Sequence, residues 1–244
     1  MFKRIPVMIL TSVLLLCSFA GCYTPESETP AVSGTSGEET EVKKEGTVLT
    51  FIDHASIKIQ AKDGRIILID PNAYSSTAYD DEADFILVTH GHEDHKPLSD
   101  VKLKEDGIQI TWNEALVDGE YQRFEYDGII IEAVVAGGND AHPIGSGVGY
   151  LVTVDGICVY HAGDSSNDEA LHVLKDYDID YAFYPIDGQF NMDAVEATEL
   201  ANIIGATHNI PFHMLNKVGQ DKSENFTPEG RLVLKEGESI VLEK

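Results

Sequence analysis

The sequence predicts an α/β (α+β) domain in which two sheets lie face to face with helices outside, a four-layer αββα sandwich. Three observations lead there. Apolar, strand-like runs recur in both halves of the chain from Thr47 onward, and the helical patterns carry a single apolar face. The residues richest in chemistry, His90-Gly91-His92-Glu93-Asp94-His95, follow directly on a run that reads as a strand buried on both faces.

Thr47 to Asp53 and Ser56 to Gln60 read as two short strands with His54-Ala55 between them, and Arg65 to Asp70 as a third, ending in Asp70-Pro71. Asp84 to Thr89 is the apolar run in front of the histidine loop. Gly107 to Trp112 and Gly128 to Ala136 are further core strands, the second carrying Ile129, Ile130 and Ile131 in succession. Val148 to Val154 and Ile157 to His161 flank Asp155-Gly156, the composition of a type I′ hairpin turn. Ser166 with Glu169 reads as a capping box in front of Ala170, Leu171 and Leu174, and Asp193 with Glu196 repeats the device. The second helix aligns Ala194, Ala197, Leu200, Ala201 and Ile204 on one face, which must lie on a sheet. Asp180 to Ile186 and Asn209 to Phe212 are the remaining strands.

Before this domain, residues 1–21 read as an export signal: basic Lys3 and Arg4, then an apolar stretch from Ile5 to Phe19, too short for a membrane span. Ala20-Gly21-Cys22 resembles the bacterial lipoprotein signal, which makes Cys22 the expected lipidation site. Phe19 stands where that signal usually has a small aliphatic residue, and an ordinary secretory signal cut nearby is the alternative. Residues 22–46 are rich in Pro, Ser, Thr, Gly and Glu, with too little to bury to offset the entropy of ordering, and read as an acidic tether. The folded domain is expected over 47–244, in the cell envelope, on the outer face of the cytoplasmic membrane or in the periplasm.

Cys17 leaves with the signal and Cys22 is the acylation candidate, so Cys158 in an apolar strand is left as a buried small hydrophobe, with no internal disulfide. The formal charge is −25, and no run of Lys and Arg forms a stripe, which argues against nucleic acid as a partner. The expected partners are a small-molecule substrate and, through the lipid, a membrane; the oligomeric state stays open.

The central loop sets the chemistry. Neutral imidazole and carboxylate suit zinc, iron or manganese, and with no thiolate nearby a closed structural site is not indicated. His90 and His92, as alternate residues, can point one way while Asp94 and His95 turn to a second point, which implies two metals.

Thr89-His90-Gly91-His92-Glu93-Asp94-His95 resembles the signature of the metallo-β-lactamase fold superfamily of hydrolases. Asp70-Pro71 resembles the aspartate ending an early strand of that family, His161-Ala162-Gly163-Asp164 its glycine-aspartate segment and Ile210-Pro211-Phe212-His213 its closing histidine, a match in order from about Phe51 to His213. His54-Ala55-Ser56, Ile69-Asp70-Pro71 and Asn191-Met192-Asp193 are similar to the branch that includes the ascorbate-6-phosphate lactonases and many metal-dependent hydrolases.

The resemblance implies a first metal on His90, His92 and His142, a second on Asp94, His95 and His213, and Asp164 bridging both. His161 is the rival to His142. His208 and His213 stand at opposite ends of one strand, so only one can reach the site, and His213 is at the end the other ligands share. Asp70 is expected to hydrogen-bond the metal loop, His161 to act from behind a ligand, and His172 to lie on a helix surface. His54 either lines the site or orients a strand turn.

The implied cofactors are two divalent ions, zinc first, with manganese or iron as alternatives. The implied reaction is attack of metal-activated hydroxide on an ester, lactone, amide or phosphodiester, with Asp164 holding the metals and Asp94 orienting the water. Lys96, Lys217 and Lys222 are the cations that look nearby in the sequence, and the sequence leaves their placement open. The competing readings are an envelope lipoprotein that binds metal or ligand without turnover, and an iron-dependent oxidative enzyme on the same fold.

Overall fold

The computed structural model describes residues 46–72, 79–97, 99, 101–214 and 219–244. These belong to the unit Val42–Lys244; the other unit, Met1–Glu41, lies outside the described residues, and with it the export signal, Cys17 and Cys22.

In chain order the strands are β1 (Val48–Asp53), β2 (Ser56–Gln60), β3 (Ile66–Ile69), β4 (Ala83–Val88), β5 (Leu103–Thr111), β6 (Leu116–Val117) and β7 (Glu120–Tyr121). There follow β8 (Arg123–Tyr126), β9 (Ile129–Val134), β10 (Gly149–Val154), β11 (Ile157–His161), β12 (Tyr181–Pro185), β13 (His208–Phe212) and β14 (Ser239–Val241). One mixed sheet has the order β14-β1-β2-β3-β4-β5, the second β13-β12-β11-β10-β9-β8, and β6-β7 form a small ribbon.

Alternation drives the packing. β9 buries Ile129 and Ile131 while Ile130 is half exposed, so its inner face meets the other sheet. Phe51, Ile57, Ile69, Phe85 and Leu87 of the first sheet share one core with Ile131, Tyr150, Val152, Val159, Phe183, Ile210 and Phe212 of the second. Tyr150 is fully buried there, and its hydroxyl, 3.2 Å from the Val88 and Ile110 carbonyls, ties the second sheet to the first.

The outer face of the second sheet is covered by helix α2 (Ala194–Ile204) and a 3-10 helix, Glu169–Asp176. Ala194, Ala197, Leu200, Ala201 and Ile204 face inward as the spacing requires, and Asp193 with Glu196 completes a capping box. Ile52, Ile66, Leu68, Tyr79, Ala83, Ile86 and Val88 form a smaller cluster on the other face of the first sheet. This is the expected sandwich, with few helices. Among the described residues no helix is long and apolar enough to cross a membrane.

Several expectations change. The strand expected over Gly107 to Trp112 begins at Leu103 and stops at Thr111, because Thr111 and Glu114 form a capping box that starts a short helix, α1 (Trp112–Ala115). The helix after Ser166 is capped by Asp168, not Ser166, and is a 3-10 helix; the Ser166 hydroxyl instead accepts from Asn139 at 2.6 Å. His172 is half-buried rather than surface-exposed, 3.3 Å from Asn167 Oδ1. Cys158 is half-buried, and desolvation pushes its thiol up to about 11, so it stays protonated. Asp155 and Gly156 both have positive φ, 53° and 82°, as a type I′ turn needs.

Candidate metal centre

Strand direction gathers the polar residues at one edge. β3 and β4 are parallel, so Asp70 and the histidine loop leave the first sheet on the same side. β11, β12 and β13 are mutually parallel, and their ends deliver Asp164, Asp187 and His213. β9 and β11 are both antiparallel to β10, so the loop carrying His142 starts from that edge as well.

The sheets are pinned together beside the site, where the Val148 amide donates to the Thr89 carbonyl at 2.8 Å and His90 bridges to Gly147. Glycine is required there, since a Cβ at Gly147 would sit 2.7 Å from that of His90. His54, Asp70 and His213 hold φ of 46°, 45° and 51°, a left-handed conformation that non-glycine residues rarely adopt. Three of the five such residues described therefore crowd this edge.

Two groups of ligand atoms result: His90, His92, His142 and Asp164 in one, His54, Asp94, His95 and His213 in the other, each with its atoms within 4.8 Å of one another. Asp164 stands between them. Its Oδ2 is 3.2 Å from His142 Nε2 and 4.0 Å from His90 Nε2. Its Oδ1 is 3.4 Å from His95 Nε2 and 3.7 Å from His213 Nε2. One carboxylate thus offers an oxygen to each group.

The donor set fits divalent cations. Nε2 of His90, His95 and His213 and Oδ1 of Asp164 are buried without a hydrogen bond of acceptable geometry, a costly arrangement for apolar surroundings alone. His142 Nε2 and His92 Nδ1 face each other at 3.1 Å, which requires a proton or a cation between them.

The ligands are oriented from behind. Asp70, fully buried, accepts from the Thr89 amide at 2.8 Å and the Thr89 hydroxyl at 2.7 Å, and lies 2.8 Å from His95 Nδ1. Thr89 Oγ1 is also 3.0 Å from His90 Nδ1. Asp187 lies 3.3 Å from His213 Nδ1 and accepts from the Gln189 and Phe190 amides at 2.7 and 2.8 Å. The Phe190 carbonyl is 3.2 Å from His142 Nδ1, and Asn139 Oδ1 accepts the His142 amide at 2.8 Å. Such contacts fix which imidazole nitrogen faces the site.

Burial and neighbouring charge set the protonation pattern. Desolvation, reinforced by His95, pushes His90 down to about 3, and burial lowers His142 as well. Burial opposes the charge on His95, yet Asp164 and Asp70 outweigh it and raise His95 well above its usual value. Burial likewise works against Asp164, but His95, His213 and His90 keep it well below the usual carboxylate range. Asp94 is lowered, chiefly by its hydrogen bond with His54.

Each sequence-predicted residue has a place. His90, His92, Asp94, His95, His142, Asp164 and His213 converge. His54 does too, with Nε2 3.2 Å from Asp94 Oδ2 and its ring 3.7 Å from that of His213. His161 stays out, fully buried with Nε2 donating to the Ala55 carbonyl at 2.8 Å. His208 stacks on Tyr181 at 4.5 Å, on the strand end away from the site. Lys217 lies outside the described residues. Sequence reading missed Asp187, Asn139 and the Phe190 carbonyl; for Asp187 the signal was an acid just past the end of an apolar strand, as at Asp164.

Comparison with known proteins identifies the family. A family profile described as "Beta-lactamase superfamily domain" matches residues 48–213. A UPF0173 metal-dependent hydrolase of Pyrococcus furiosus is 31% identical over 235 residues, covering 80% of this chain and 99% of the relative. A candidate metal-dependent hydrolase of Parabacteroides distasonis superposes with a TM-score of 0.62 at 28% identity, covering 79% of this chain and 94% of that one. A metallo hydrolase of Ignicoccus hospitalis shares the fold, with a TM-score of 0.64 at 20% identity over 81% of this chain and 99% of its own. The family profile and the Pyrococcus furiosus relative place the chain in the metallo-β-lactamase superfamily as a UPF0173-type metal-dependent hydrolase.

Proposed function

We propose that this hydrolase works with two divalent cations, zinc foremost, one held by His90, His92 and His142 and the other by Asp94, His95 and His213, with Asp164 shared. The observation that carries the reading is Asp164, which presents separate oxygens to two groups of imidazoles, among which Nε2 of His90, His95 and His213 is buried without a hydrogen bond. Bound there, the cations would supply Lewis acidity toward a carbonyl or phosphoryl oxygen and acidify a water enough to act as hydroxide near neutral pH.

The protein's own groups do the positioning. Asp70 and Asp187 aim His95 and His213 from behind, and the Phe190 carbonyl and Asn139 do so for His142. Asp94, less buried than Asp164 and hydrogen-bonded to His54, is placed to orient the attacking water. The substrate bond is an ester, lactone, amide or phosphodiester. The basic, apolar and small-residue pattern of residues 1–22 supports export and lipid anchoring through Cys22.

The metal-loaded chain should hydrolyse chromogenic members of one or more of these classes. Asp164→Ala and His90→Ala should each abolish turnover with circular dichroism unchanged, because neither side chain builds the core. Near-normal turnover by either variant without bound metal would contradict the reading.

A further inference from the structure

His54 belongs to both the metal site and a cavity: its Nε2 lies 3.2 Å from Asp94 Oδ2, and the residue also lines a cavity of about 520 Å³. That volume is in the range of small-molecule sites. Phe51, Met214, Val233 and Leu234 supply its apolar lining. We propose that this cavity takes the apolar portion of an uncharged substrate whose scissile ester, lactone or amide lies at the two metals, an inference that rests on the hydrolase reading above.

Charge argues for an uncharged ligand. Lys235 in the cavity wall is accompanied by Asp221 and Glu236, so acid outnumbers base there. Lys96 is ion-paired with Glu93, and Lys222 donates to Gln220 at 3.0 Å. With a chain charge of −25, the approach of a phosphorylated or carboxylated substrate is opposed at long range and meets no cluster of cations among the described residues.

Apolar side chains are also exposed on the loops that hold His142. Ile144 and Phe190 are 45% and 53% exposed, although each belongs to a loop that holds His142: Ile144 two residues beyond it, Phe190 through its carbonyl. Large apolar side chains held out on such loops suit a substrate with an apolar body.

The test uses the metal-loaded full chain and p-nitrophenyl acetate, butyrate and octanoate, with bis(p-nitrophenyl) phosphate alongside. The octanoate should exceed the acetate at least tenfold in kcat/KM, and Val233→Trp, which fills the cavity, should bring that ratio toward one. Equal kcat/KM for the two esters, a ratio unmoved by Val233→Trp, or a phosphodiester preferred over the octanoate would overturn the proposal. If no ester is turned over, the hydrolase reading fails for that class. The cavity is then tested by melting the metal-free chain with N-octylacetamide, where a rise in Tm absent in Val233→Trp supports it and no rise overturns it.

Discussion

Asp70 Oδ2 lies 2.8 Å from His95 Nδ1, and both side chains are wholly buried. The same carboxylate holds the Thr89 amide and hydroxyl, so one acid at the end of β3 fixes the ring of a site-facing histidine and the strand end it follows. Asp70→Asn keeps the shape but loses the charge that favours the Nδ1–H tautomer. Affinity for the second cation should fall about 10- to 100-fold, measured by chelator competition. Unchanged affinity would show that His95 is oriented by packing alone.

Asp187→Ala should act more widely. Besides losing its contact with His213, it strands the Gln189 and Phe190 amides and loosens the carbonyl that holds His142. Both cations should bind more weakly, and the metal-free chain should lose about 1–3 kcal/mol in urea unfolding. A loss confined to one cation would break the proposed link through Phe190.

Stability of the metal-free chain should peak near pH 6.5. His90, His142 and His161 have lowered pKa values in the fold, so below the ordinary histidine value the unfolded chain binds more protons than the folded one. Stability should then fall with acid, each such histidine contributing up to about 1.4 kcal/mol per pH unit within its own window. His95 has the opposite sign: its raised pKa gives stability that is full below the ordinary value and lost as pH climbs through the folded one. Melting temperatures from pH 4.5 to 9 test this, and a curve rising steadily across that range would contradict it.

Leu200→Ala, under the second sheet and away from the site, should cost about 2–5 kcal/mol of stability through the cavity left. Metal stoichiometry should not change. Calorimetric metal titration alongside urea melts separates the two effects.

Much of this was legible in the sequence for a physical reason: periodicity and ligand chemistry are local. The alternation in β9, the apolar face of α2 with its Asp193 cap and the Asp155-Gly156 turn each depend on neighbours within a few residues. The site's outer partners are not local. Asp187 reaches His213 across 26 residues, and Asn139 spans 27 to Ser166, so only the packed strands reveal them. The cap after β11 was misplaced because Ser166 and Asp168 both suit that role, and the contact with Asn139 decides between them. His54, open between two roles in the sequence, serves both: its carbonyl accepts from the His213 amide at 3.0 Å while its ring faces Asp94.

The most direct measurement is the number of cations bound per chain, by elemental analysis of the full chain after loading and desalting. Two per chain, dropping to one or none in Asp164→Ala, is the expected result. A saturating stoichiometry of one, or an Asp164→Ala chain that still holds two, would contradict a centre built around a shared carboxylate.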